Sequence, residues 1–124
     1  MLSDYTDVVR IHKEFWKKEG YEDVERHINN GWCIPLAIHL KKLGDSKNHL
    51  TEIVRSYAHW FLRIYLNEEI NYKDAWVEEG TKDLLVITDS LDEDLEVWGI
   101  EDLLALKGVG DKYKFIKDLV KDLD

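Results

Sequence analysis

The hydrophobic period changes twice along these 124 residues, and that change limits the fold more than any other feature. In residues 4–19, DYTDVVRIHKEFWKKE, the residues Tyr5, Val8, Val9, His12, Phe15 and Trp16 recur at helical spacing until Gly20 stops them. A short helix over 21–28 follows and ends in the turn Asn29-Asn30-Gly31. Pro35 suits the first turn of the next helix, where its missing N–H is not needed; that helix carries Cys33, Leu36, Ala37 and Leu40 on one face and ends at Gly44. The segment LTEIVRSYAHWFLRIYL, 50–66, then turns to alternation through Ala58, Trp60, Leu62, Ile64 and Leu66, which reads as strand. Residues 67–69 supply a turn and INYKDAWV a returning strand, giving an antiparallel hairpin over about 50–77. Residues 81–88 fit helix and strand equally, and SLDEDLEVWG, 90–99, reads as an acidic loop. Helices over about 100–106 and 111–122 finish the chain, the last with Tyr113, Ile116, Leu119, Val120 and Leu123 on one face. N-terminal helices, a small antiparallel sheet and C-terminal helices make an α+β fold. With one proline and no repeat or linker, residues 1–124 read as a single domain.

Charge narrows the partners. The chain has 17 basic and 26 acidic residues, a net charge of −9, which argues against nucleic acid or anionic membrane and permits a basic protein partner. No apolar run approaches the ~20 residues of a membrane span, and MLSDYTDVVR lacks the regions of a signal peptide. A single cysteine forms no internal disulfide, so a cytoplasmic location is expected. The acids of DEDLE, 92–96, do not make a calcium loop, because Val97 stands where the loop needs glycine and Leu103 where it needs glutamate. The five histidines lack metal-ligand spacing; neither a metal nor another cofactor is expected. Gly108-Val109-Gly110 reads as an ordinary inter-helix turn, since Lys114 fills the position that a DNA-binding helix pair keeps small.

The chemistry-bearing candidates are few. Cys33 stands at a helix start, where the helix dipole and free amides favour a thiolate. A nucleophilic cysteine also needs a base and a group to orient that base. His59 opens one strand and Asp74 lies in the returning one. With a two-residue loop, His59 shares a face with Tyr72, Asp74, Trp76 and Glu78. A loop at 66–67 sets Asp74 opposite His59, and one at 67–68 sets it on the diagonal. A loop at 68–69 brings Glu78 opposite instead, as an alternative orienting acid. A three-residue loop sends Asp74 to the other face. The competing reading makes Cys33 an apolar filler beside Leu36, Ala37 and Leu40, with His59 a structural residue.

The order GWCIPLAIHLKKLG, then HWFLRI, then INYKDAW resembles the minimal core of the papain-like and transglutaminase-like cysteine enzymes, over residues 29–80. The resemblance implies Cys33 as nucleophile, His59 as base and Asp74 as orienting carboxylate. Asn30 and the turn amides around Trp32 would support the oxyanion, with Asn29 the other candidate; the position six before the cysteine, a glutamine in papain-like enzymes, is His27. The implied activity is a cysteine-dependent amide or thioester hydrolase or acyltransferase with a peptide-like substrate. The alternative is a non-catalytic acidic interaction protein, such as an inhibitor, an immunity protein or a phage or mobile-element accessory protein. It would act through charge at Asp92, Glu93 and Asp94.

Overall fold

A computed structural model describes residues 4–120. The fold is α+β: helices precede and follow a four-stranded antiparallel sheet of order β3-β2-β1-β4. Helix α1 (Tyr5–Lys18) starts at Asp4, whose carboxylate accepts the Asp7 amide, and buries Tyr5, Val8, Val9, His12 and Trp16. Helix α2 (Val24–His27) is shorter than the sequence predicts, and a wide turn over Ile28–Trp32 joins it to α3 (Cys33–Ser46).

Helix α3 runs past Gly44, which is not its stop. Glycine is needed there because the helix lies against β1 (Leu50–Ser56): a Cβ would sit 2.6 Å from Thr51 Cγ2 and 3.0 Å from Tyr5 Oη. Thr51 is buried and cannot swing aside. Gly44→Ala is therefore expected to destabilise the fold by about 1–3 kcal/mol. A denaturant midpoint equal to the parent's would show that helix and strand can part without cost.

The long alternating run is two strands. Tyr57, at φ +57°, turns the chain at Tyr57–Ala58, so that β1 pairs β2 (His59–Leu66) from Ser56↔His59 to Leu50↔Tyr65. A second two-residue turn, Asn67–Glu68 at φ +52° and +65°, leads to β3 (Glu69–Lys73). Pairing runs Leu66↔Glu69 to Leu62↔Lys73, which selects the 67–68 loop among the registers open to the sequence. Strand β3 stops at Lys73, short of the expected Val77.

One sheet face, with Ile53, Leu62 and Ile64, packs under α1 and α3 in the main core. The other face carries Val54, Phe61 and Tyr72, covered by Leu84, Ile87 and Leu95. Residues 81–95 thus form an irregular strap with two short 3-10 turns, and the expected acidic loop ends in a strand, β4 (Glu96–Trp98), paired to β1. Asp92 pins the strap: its carboxylate accepts from Tyr72 Oη at 2.6 Å and from Arg63 at 3.0 Å, while Glu52 holds the other arm of that guanidinium at 2.9 Å. This acid has a structural role inside the fold. Helices α4 (Ile100–Leu104) and α5 (Val109–Ile116) close the chain. The expected last helix gives way at Lys117 to a 3-10 turn, and its Leu123 lies outside the described residues.

Candidate active site

The site forms where the sheet ends. His59 is the first residue of β2, and Asp74 follows the last residue of β3. The 67–68 register sets Asp74 across from Phe61, one pair along from His59, so the two side chains meet on the diagonal. His59 Nε2 donates to Asp74 Oδ2 at 2.8 Å. The other carboxylate oxygen accepts the Trp76 and Val77 amides at 2.9 and 3.0 Å, an Asx turn that ends β3 and fixes the acid. Asp74 is buried, and the imidazole stacks on Phe61 at 5.4 Å.

Cys33 heads α3 beside this pair. It is 4% exposed and lines a closed space with Asn29, Leu36 and Asp74. Burial opposes charge on His59, but the hydrogen bond to Asp74, the nearby Cys33 sulfur and the Asp74 charge raise its pKa to about 9. Nε2 is taken by Asp74, which leaves Nδ1 as the nitrogen available to the sulfur. Nδ1 is buried and no group meets it in good hydrogen-bond alignment. Cys33 thus acts on the ring electrostatically, while Nδ1 has no hydrogen-bond partner among the described residues.

The remaining predicted residues divide. Asn30 is exposed and lines a cavity of about 340 Å³ with Arg26, Asn29 and Trp76. Asn29 borders that cavity, a cleft of about 310 Å³ beside His59 and Asp74, and the space around Cys33; its Oδ1 is buried without a partner. Trp32 turns into an aromatic cluster, 4.6 Å from Trp16 and 5.9 Å from Phe115, so it meets the site only through its backbone. Glu78, the alternative acid, is held by Arg10 at 3.2 Å and Lys13 at 3.9 Å on α1, and Asp74 occupies the position next to His59. His27 stacks on Tyr21 at 3.6 Å and does not serve the site.

Sequence reasoning set Trp76 on the His59 face without giving it a role and missed Val86 and Ile87; all three wall the cleft. Trp76 carried a signal, being two residues beyond the candidate acid, whereas Val86 and Ile87 arrive through the strap and carried none. No helix is long and apolar enough to cross a membrane, and no cluster of three His, Cys, Asp or Glu suits a metal, among the described residues. Comparison with known proteins found no matching family model, no matching curated protein and no matching solved structure.

Proposed function

We propose that the chain is a small cysteine hydrolase or acyltransferase of papain-like or transglutaminase-like chemistry, acting on an amide or thioester. The observation that carries this reading is the imidazole of His59, bonded at 2.8 Å to a buried carboxylate on one side and influenced by the lone thiol on the other. A packing cysteine needs neither neighbour.

In the first half-reaction Cys33 Sγ, its proton already held by His59 Nδ1, attacks the carbonyl carbon as a thiolate. The C–S bond forms, and the oxyanion takes hydrogen bonds from the amides that open α3 and from the Asn29 carboxamide. Pro35 lacks an amide, which leaves the side chain of Asn29 a larger share of that work. His59 returns the proton to the leaving nitrogen or sulfur as its bond to carbon breaks. In the second half, water or an acceptor amine attacks the acyl-thioester, His59 takes the proton released, and Cys33 leaves. Asp74 holds the ring and stabilises its charge throughout. Exposed Trp76 and Val86 at the cleft mouth favour a peptide-like substrate over a small polar one.

The test is to incubate the protein with a short acyl thioester, quench in acid and weigh the chain. An acyl adduct on Cys33 that forms and decays during turnover, and is absent in Cys33→Ser, is expected. Turnover by Cys33→Ser at the parent rate would end the proposal.

A further inference from the structure

Of the four arginines, Arg10, Arg55 and Arg63 each face a carboxylate, at 3.2, 3.1 and 2.9 Å. Arg26 has no acidic partner among the described residues, in a chain whose acids outnumber its bases 26 to 17. It lines the 340 Å³ cavity with Asn29, Asn30 and Trp76, and that cavity shares Asn29 and Trp76 with the cleft at His59 and Asp74. Trp76 and Asn29 are therefore walls common to two neighbouring compartments, one of which holds His59 and Asp74. One is walled by Val86 and Ile87; the other offers a guanidinium and two carboxamides.

We infer that the Arg26 compartment binds a carboxylate of the substrate, while the Val86–Ile87 compartment takes an aliphatic group on the other side of the reacting carbonyl. A guanidinium presents paired N–H donors in the planar geometry a carboxylate accepts, and Asn30 supplies a further donor beside it. No internal acid competes for Arg26, so a ligand carboxylate displaces only water. The general field of the chain disfavours anions, which makes a cation without an acidic partner beside the cleft a local determinant. The reading deepens the proposed function and rests on it. The substrate class is an acyl compound, peptide-like in size, carrying an acidic group near the scissile bond.

Matched acid and amide probes test it on either side of the carbonyl: succinyl against succinamoyl thioesters, and acetyl thioesters of 3-mercaptopropionate against 3-mercaptopropionamide. The full chain and Arg26→Met are compared by kcat/KM. In one of the two pairs the parent is expected to favour the acid by about tenfold, as a charge-assisted pair at a half-open site does. Arg26→Met is expected to lose that preference while its rate on the amide is unchanged. Equal acid-to-amide ratios in parent and variant would overturn the subsite alone. No turnover of any probe would overturn the hydrolase reading, and the subsite with it; Cys33 acylation by mass tells the two failures apart.

Discussion

Replacing His59 with alanine is expected to slow thioester turnover by roughly 10²–10⁴-fold, the share a positioned base and acid supplies. In the proposed mechanism the substitution removes the proton carrier for Cys33 and for the leaving group together, and it strands the Asp74 carboxylate, whose Oδ2 has no other partner among the described residues. Asp74→Asn separates orientation from charge. Its side-chain oxygen can still accept the Trp76 and Val77 amides, so the turn survives. The NH₂ end then faces Nε2 and favours the tautomer with the proton on Nδ1, which cannot take the thiol proton. That variant is expected to fold normally and to lose most of the rate. The imidazolium is stabilised in the fold, since His59 is raised to about 9 from an ordinary 6.5. Its contribution to stability is whole below pH 6.5 and is lost as pH rises through about 9. Turnover is expected to show an alkaline limb near the same pH, and Asp74→Asn to move that limb downward. A pH–rate profile identical in parent and variant would disconnect the carboxylate from the ring.

The second large effect lies away from the site. His12 of α1 and His39 of α3 are both buried, with Nε2 of one 2.7 Å from Nδ1 of the other. Burial, then the charge of His39, holds His12 well below the usual histidine pKa. The unfolded chain binds a proton at pH 6.5 that the folded chain refuses. Stability is therefore full above pH 6.5 and falls below it, by about 1.4 kcal/mol per pH unit for this one group. Denaturant midpoints measured from pH 7 down to pH 5 are expected to drop with that slope, and His12→Leu to flatten it whatever its stability at pH 7. An equal slope in both proteins would refute the assignment. With His59 acting in the alkaline range and His12 in the acidic, the fold is expected to be most stable near neutrality.

The periods of the sequence carried the architecture, because burial on one face imposes its spacing directly. Helix α1, both sides of the β2–β3 hairpin and the α+β order were legible for that reason. The Tyr57–Ala58 turn was not, since neither residue is a usual turn former and the alternation continues across it. Strand β4 hid among acids because Glu96 and Val97 are exposed and, within the strand, only Trp98 packs against the core. Gly44 read as a helix end because sequence shows a missing side chain but not the strand that requires its absence. Within the site, Cys33, His59 and Asp74 were legible as candidates, and the choice between Asp74 and Glu78 waited on a single turn length. The His12–His39 pair was invisible: each residue sits in the apolar pattern of its own helix, and only the α1–α3 packing brings them together. Arg26 carried no signal at all, since what sets it apart is the partner it lacks.

Lys112 of α5 reaches back across the chain, its ammonium donating to the Gly31 carbonyl at 2.7 Å and lying 5.1 Å above the Trp32 ring. Both are residues of the bend that delivers the sulfur, and Gly31 sits at φ +127°. The last helices are thus a brace for a hinge some eighty positions upstream. Whatever loosens them, whether a cut, a ligand or heat, is expected to shift Cys33 relative to His59 before the sheet itself gives way.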